Sequence, residues 1–192
     1  MPYKFHPHHS DRLDSAERRR LLPPHETLRC LGLRQGEVVA DVGCGIGYFS
    51  IPAAEIVGDH GWVYALDTSE QMLQELRIRL QRQGVANVEP RSSEETTLGL
   101  PDGSVSFVLL SNVLHEVDGL SEFLAEVLRI LSPRGRVAVI EWKKTPTAEG
   151  PPLEHRLSAE EVRGYLARAG FVDASDVEVN RELYGVTARK RA

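Results

Sequence analysis

The sequence predicts an α/β protein: a doubly wound, mostly parallel β-sheet with helices on both faces, folded as a single domain over residues 1–192. Strand patterns alternate with amphipathic helix patterns from residue 36 to residue 142, which is typical of parallel strands joined by crossover helices. Residues 158–192 read instead as one helix followed by two strands with a very short link, which indicates an antiparallel pair at the end of the sheet. A chain of 192 residues leaves little length for a second domain.

The first predicted strand leads into a glycine-rich loop. Residues 38–51 read VVADVGCGIGYFSI, so that the apolar run ends at Asp41 and glycines stand at 43, 45 and 47 before a helix pattern. Such a turn brings backbone N–H groups close to a ligand at a helix N-terminus. A dinucleotide-binding loop would need its third glycine where Tyr48 stands. The spacing therefore disfavours an NAD-dependent dehydrogenase.

The order Asp-x-Gly-x-Gly-x-Gly resembles the first motif of the class I S-adenosylmethionine-dependent methyltransferases, in which the acid and the loop hold the methionine end of the cofactor. A second apolar strand, WVYALD at 62–67, ends in Asp67, and a carboxylate at that place can accept hydrogen bonds from ribose hydroxyls. The strand at 105–111 and the residues NVLHEV after it are similar to the fourth motif of small-molecule methyltransferases of the ubiquinone/menaquinone-biosynthesis type. The resemblance covers residues 36–142, the predicted cofactor-binding core.

This resemblance implies S-adenosylmethionine as the cofactor and S-adenosylhomocysteine as its product. It also implies the strand order 3-2-1-4-5-7-6, with strand 7 antiparallel. Where the family has a Gly-Asp pair that contacts the adenine amino group, this chain has Ser93 and Glu94, with Glu95 as the alternative acid. The predicted cofactor contacts are Asp41, Gly43, Cys44, Gly45, Gly47, Tyr48, Asp67, Thr68, Met72, Ser93, Glu94, Glu95, Ser111 and Asn112.

His115 and Glu116 are the predicted acid–base residues, because they follow the fourth strand and histidine titrates near neutral pH. The alternative is that His115 is a hydrogen-bonded residue packed beneath a lid. Two segments outside the motifs are predicted to cover the site, the helical residues 1–30 and the Pro/Gly-rich loop 143–157. Trp142, Glu154 and His155 are predicted to belong to the acceptor pocket.

The predicted reaction is transfer of a methyl group from S-adenosylmethionine to a small-molecule acceptor by in-line displacement. Alignment of the two reactants supplies much of the acceleration in such reactions. Two alternatives stay open, a protein or RNA methyltransferase and a non-catalytic S-adenosylmethionine-binding protein. The formal net charge of −5 argues against nucleic acid as a partner.

Composition sets the remaining expectations. No apolar run approaches the roughly 18 residues that a membrane span requires, and we expect a cytoplasmic protein. The cysteines Cys30 and Cys44 make no disulfide framework. We expect no metal site, because the histidines between His6 and Asp11 lie near a terminus, and we interpret Arg18–Arg20 as a solvated helix face. Whether the protein is a monomer or a homodimer stays open.

Overall fold

The computed structural model describes residues 14–147 and 150–192, so the histidine cluster at 6–11 lies outside the described residues. The strands are β1 (Val38–Val42), β2 (Trp62–Asp67), β3 (Val88–Ser92), β4 (Val105–Ser111), β5 (Leu131–Trp142), β6 (Phe171–Glu178) and β7 (Leu183–Lys190). The helices are α1 (Ala16–Leu21), α2 (Pro24–Cys30), α3 (Ser50–Val57), α4 (Glu70–Gln83), α5 (Leu120–Ile130) and α6 (Ala159–Arg168).

All seven strands form one sheet in the order β3-β2-β1-β4-β5-β7-β6. The pairs from β3 to β5 are parallel, and β7 runs antiparallel to both β5 and β6. This confirms the predicted fold class and strand order. The order reverses between β1 and β4, and in an open α/β sheet ligands bind beyond the carboxyl ends of the strands at such a point.

The central strands are buried on both faces, which explains their nearly continuous apolar sequence. Along β1, Val39 packs into one apolar cluster, whereas Ala40 and Val42 pack into the other. The first cluster includes residues of α3 and α4, and the second includes residues of α5 and α6. The sheet therefore lies between two helical layers, and its loops are presented at its edges.

Capping residues start and end the helices. The side chain of Ser69 accepts a hydrogen bond from the backbone of Met72 at the start of α4, and Gly84 ends that helix in a left-handed conformation. Ser158 and Glu161 form a capping box at the start of α6. Within the described ranges, no helix is long and apolar enough to cross a bilayer.

The fifth strand differs from its predicted extent. The sequence predicts a strand from Val137, but β5 begins at Leu131, directly after α5. The reason is that Leu131 pairs with Val105 before the register of the two strands shifts. Arg134 takes a positive φ of 62° within this irregular stretch.

Candidate active site

A cavity of about 820 Å³ opens where β1, β2 and β4 end. Its wall combines residues from most of the predicted motifs, although they are far apart in the chain. The predicted residues that line it are Asp41, Gly43, Cys44, Gly45, Tyr48, Asp67, Thr68, Met72, Ser93, Glu94, Glu95, Ser111, Asn112, His115, Glu116 and Trp142. The fold thus brings the predicted cofactor residues and the predicted acid–base residues into one space.

Three predicted residues lie outside the cavity wall: Gly47, Glu154 and His155. Gly47 has a positive φ of 82°, and a Cβ there would lie 2.4 Å from Cδ1 of Leu76, so this glycine lets the loop pack on α4. Glu154 is exposed and His155 half-buried on a single 3-10 turn. The 143–157 loop reaches the cavity instead through Gly150 and Pro151.

The glycine-rich loop is fastened to the end of β2. The backbone N–H groups of Gly43 and Cys44 donate to the carbonyl of Leu66 at 2.8 and 3.0 Å. Gly43 has a positive φ, and a Cβ at this position would lie 2.6 Å from Cγ2 of Val113. A side chain here would therefore strain the backbone and displace Val113, which is itself part of the cavity wall.

Asp67 joins the loop to the second strand and keeps capacity for a ligand. Its Oδ2 accepts from the backbone of Gly45, and its Oδ1 accepts from the backbone of Ser69, both at 2.8 Å. Burial raises the pKa of Asp67, and these backbone hydrogen bonds oppose the shift. A carboxylate offers about four acceptor positions, more than these backbone hydrogen bonds use, so that acceptor capacity remains for the hydroxyls of a ribose.

Asp41 is a buried acid at the base of the loop. Its Oδ2 accepts from the hydroxyl of Ser50 at 2.5 Å, and only 2% of the residue is exposed. Burial raises the pKa of Asp41 to about 6; the charge of Asp67 adds to this shift, while the Ser50 hydrogen bond and the charge of Arg18 oppose it. A cationic group, such as the ammonium of an amino acid, would stabilise the ionised form.

The interpretation of Arg18–Arg20 as a solvated helix face is wrong for Arg18. The sequence analysis did not identify this residue as part of the site. Although its two neighbours are exposed, Arg18 lines the cavity, and its guanidinium carbon lies 4.4 Å from the centre of the Tyr48 ring. Burial lowers the pKa of Arg18, and the charges around it oppose that shift. A guanidinium in this position can bind a carboxylate.

Two polar atoms of the cavity wall lack a partner among the described residues. Ser111 Oγ and Asn112 Oδ1 are buried without a hydrogen bond, and Asn112 takes a left-handed φ of 58°. A buried acceptor without a hydrogen-bond donor costs free energy. A left-handed backbone at a residue other than glycine is strained, and strain of this kind is concentrated at functional sites. The glycine loop, the two carboxylates, Arg18 and these open acceptors fit a cofactor that carries amino, carboxylate and hydroxyl groups.

His115 lies beside the cavity in a 3-10 turn after β4, and its partner is Glu141. Its Nδ1 is 2.8 Å from Oε2 of Glu141, which is fully buried in β5. Its Nε2 is 3.8 Å from Oε1 of Glu116. Burial lowers the pKa of His115, but the hydrogen bond and charge of Glu141, together with the charge of Glu116, outweigh burial and raise the pKa overall.

The remaining wall is mostly apolar and comes from scattered segments. Near α1 and α5 it includes Leu21, Leu22 and Phe123, and beyond β5 it includes Trp142 and Pro151. The turn between β6 and β7 adds Asn180 and Glu182, and the start of β7 adds Leu183; the sequence analysis singled out none of the three. Such a surface suits a flat apolar molecule with few polar groups. In residues 14–147 and 150–192, no cluster of three or more potential metal ligands occurs.

Comparison with known proteins agrees with this geometry. The methyltransferase domain family matches residues 40–139. A demethylmenaquinone methyltransferase of Geobacillus sp. (strain WCH70) is 31% identical over 94% of this chain and 89% of its own length. A ubiquinone/menaquinone biosynthesis C-methyltransferase of Escherichia coli O1:K1 is 32% identical over 82% of this chain, which spans 61% of that relative.

A solved structure has a very similar fold. A crystal structure of an S-adenosylmethionine-dependent methyltransferase from Aquifex aeolicus has a TM-score of 0.92 and 36% identity, covering 97% of this chain and 99% of that chain. Sequence motifs, strand order and cavity therefore agree with the same cofactor. The chain belongs to the class I S-adenosylmethionine-dependent methyltransferases, and S-adenosylmethionine is its cofactor.

Proposed function

We propose that the protein transfers the methyl group of S-adenosylmethionine to a quinone-type small molecule in its reduced, hydroquinone form. The observation that carries this proposal is a mostly apolar cavity wall with one buried histidine, His115, beside it. S-adenosylmethionine supplies an electrophilic methyl group, and an electron-rich hydroquinone is a better acceptor for it than an oxidised quinone. The names of the Geobacillus and E. coli relatives support an acceptor of this class.

The cofactor residues would hold their ligand by opposite charges and by hydrogen bonds. Asp67 would accept from the ribose hydroxyls, and Asp41 would face the ammonium of the methionine end. Arg18 would bind the carboxylate of that same end. Glu94, or Glu95, would accept from the adenine amino group, as the resemblance of this turn implies.

The acceptor residues would hold an aromatic ring in line with the methyl group. Phe123, Trp142 and Leu183 supply apolar contacts, while Glu116 and Glu182 make the same space unfavourable for an anion. Alignment of this kind is worth on the order of 7–11 kcal/mol of the activation barrier. Selection of a neutral ring and its correct alignment are thus the main tasks of this wall.

His115 would accept the proton that the acceptor gives up. Nε2 takes the proton of a ring hydroxyl, and the electron pair left behind makes the ring nucleophilic at oxygen or at the neighbouring carbon. The new bond to the methyl carbon forms as the sulfur–methyl bond breaks. When carbon is the nucleophile, the ring then loses its C–H proton and its oxygen regains the proton held by His115. The ring is aromatic again, and one proton leaves for each methyl group gained.

The test uses labelled S-adenosylmethionine and 1,4-naphthohydroquinone, kept reduced under nitrogen. We expect a labelled naphthohydroquinone with one added methyl group, identified by mass spectrometry, and no product from the oxidised quinone. Transfer of label to protein or RNA would support the first alternative. Binding of S-adenosylhomocysteine without transfer to any ring of a phenol and hydroquinone panel would support the non-catalytic alternative and overturn the proposal.

A further inference from the structure

We propose that Glu141 is a positioning residue for His115 and that the two side chains act as one proton-accepting unit. This inference rests on the proposed function. Glu141 is the residue before the last of β5 and has no exposed surface, yet it carries a carboxyl group. Its Oε2 lies 2.8 Å from Nδ1 of His115, and its Oε1 lies 3.4 Å from the backbone nitrogen of the same residue.

The contact fixes which ring nitrogen of His115 carries the proton. An ionised carboxylate only accepts hydrogen bonds, so Nδ1 must donate to Glu141. In a neutral imidazole the other nitrogen, Nε2, then has a free electron pair and is the atom that can take a proton. A histidine without such a partner divides its population between two tautomers, and only one of them has Nε2 free.

The arrangement differs from that of a histidine with a purely structural role. Such a residue would have both ring nitrogens satisfied inside the protein. Here Nε2 lies 3.8 Å from Oε1 of Glu116, which exceeds hydrogen-bond length, and His115 belongs to the cavity wall. One nitrogen of the ring is therefore held by the protein, and the other is placed where an acceptor binds.

The charged groups around His115 come from three segments. Glu141 faces it from β5, Glu116 from its own turn, and Arg156 from the end of the 143–157 loop. The two carboxylates stabilise the imidazolium that forms when a proton is taken from a neutral acceptor, and the guanidinium opposes it. Arg156 is itself held against the Trp142 ring at 5.3 Å, so this opposing charge has a fixed place.

The test is the variant E141Q, which has the same shape and still offers an oxygen to Nδ1 but lacks the charge. In the protein without ligands, NMR titration of labelled histidine is expected to show a lower pKa for His115. With 1,4-naphthohydroquinone as the probe, we expect kcat to fall about 10- to 100-fold, with KM unchanged. Because protonated His115 cannot accept a proton, kcat should rise with pH through the pKa of His115. The acid limb of the pH profile of kcat should therefore move to lower pH in E141Q.

Two further variants make the result specific. E141D keeps the charge on a shorter side chain and should hold the pKa of His115 closer to the wild-type value than E141Q does. Y184F is the matched control: Tyr184 pairs with Glu141 across β5 and β7, but its hydroxyl donates to the Leu157 carbonyl at 2.8 Å and lies outside the cavity wall. We expect Y184F to have the wild-type pKa of His115 and the wild-type kcat.

An unchanged pKa of His115 in E141Q would overturn the inference. A lowered pKa with an unmoved acid limb of kcat would also overturn it, because the pair would then be structural only. The titration needs no acceptor, so its result is independent of the proposed function. Failure of that function shows itself differently, as absence of methyl transfer by the wild-type protein.

Discussion

The two halves of the cavity are built in different ways. In the half that we propose for the cofactor, most of the residues lie within a few positions of a strand end, such as Gly43 after β1, Asp67 at the tip of β2 and Asn112 after β4. Arg18, on α1, is an exception. The acceptor half is assembled from α1, the 143–157 loop and the turn between β6 and β7, which are distant in the chain. The proposed cofactor residues can therefore be located largely from local sequence, whereas the proposed acceptor residues depend on how distant segments meet.

The two halves also differ in what holds them in place. The strands of the cofactor half are buried on both faces, but α1 contains no buried residue. Its C-terminal end is held by hydrogen bonds, from Tyr48 Oη to the Leu22 carbonyl at 2.6 Å and from Asn180 Nδ2 to the Leu21 carbonyl at 2.8 Å. Segments with few buried apolar contacts open at low cost in free energy. We therefore expect α1 to be the part of the cavity wall that moves to admit ligands.

The largest expected effect separates chemistry from cofactor binding. H115A should lower kcat with the hydroquinone probe by about 10²- to 10⁴-fold, because the proton acceptor is lost. The Kd for S-adenosylhomocysteine should stay close to the wild-type value, since the ligand is held by the other half of the cavity. Steady-state kinetics and calorimetry measure the two quantities on the same preparation.

A second histidine provides the control for H115A. His25 lies on α2 and contacts Glu55 at 2.7 Å, outside the cavity wall, so H25A should turn over as the wild type does. Wild-type turnover by H115A would remove this residue from the mechanism and leave the alternative of a packed, hydrogen-bonded histidine. A large loss of cofactor affinity in H115A would contradict the division of the cavity into two halves.

The next effect is expected in the cofactor half. D67N should weaken binding of S-adenosylhomocysteine about 100-fold, equivalent to about 2.7 kcal/mol, because hydrogen bonds to a charged group are lost. An amide also cannot accept from Gly45 and Ser69 and keep further acceptor positions. D102N is the control, since Asp102 pairs with Arg129 at the surface. Equal affinities of D67N and D102N, measured by calorimetry, would show that Asp67 does not hold the ribose.

The same division explains what could be predicted from the sequence. The sequence places Asp41, Asp67 and most of the glycine-rich loop at the cavity, because each follows the end of a predicted strand. Their roles toward the cofactor come from the family resemblance and stay predictions. Glu141 was not found, because it stands 26 positions from His115, and only the pairing of β4 with β5 places them together.

Arg18 was misjudged for a related reason. It stands among three arginines on a short helix, and only the position of α1 above the cavity separates it from its exposed neighbours. The 143–157 loop was predicted to reach the site and does so, but the two side chains predicted to line it, Glu154 and His155, lie outside the cavity wall. A loop without regular structure gives no period from which the direction of a side chain can be read.

D41N tests a conflict between stability and binding. In the folded protein the pKa of Asp41 is raised to about 6 from 3.8, so the folded state holds its proton over a pH range in which the unfolded chain has lost it. Stability therefore falls as pH rises from about 4 to about 6, and the whole cost is present above that range. D41N should raise the free energy of unfolding at pH 7.5 by about 3 kcal/mol and change it little at about pH 4.

Denaturant unfolding at the two pH values measures this effect, with the exposed Asp59→Asn as the control. Calorimetry on the same variant should show weaker binding of S-adenosylhomocysteine, because the ammonium loses its charged partner. A D41N protein less stable than the wild type at pH 7.5 would mean that the charge of Asp41 is compensated in the folded state. The site would then have no unbalanced charge with which to attract a cation.

The smallest effect should come from the fastening of α1. Asn180 has two tasks: its Oδ1 accepts from the backbone of Glu182 and Leu183 in the turn, and its Nδ2 donates to the carbonyl of Leu21. N180D keeps the first task and loses the second, whereas N180A loses both. We expect N180D to leave the melting temperature nearly unchanged and to weaken cofactor binding about fivefold, equivalent to about 1 kcal/mol, through faster release.

Stopped-flow measurement of S-adenosylhomocysteine release checks this prediction. Y48F, which removes the hydrogen bond from Tyr48 to the Leu22 carbonyl, should also speed release. If both variants release the ligand at the wild-type rate, α1 is not a lid, and the two halves of the cavity differ in origin but not in mobility.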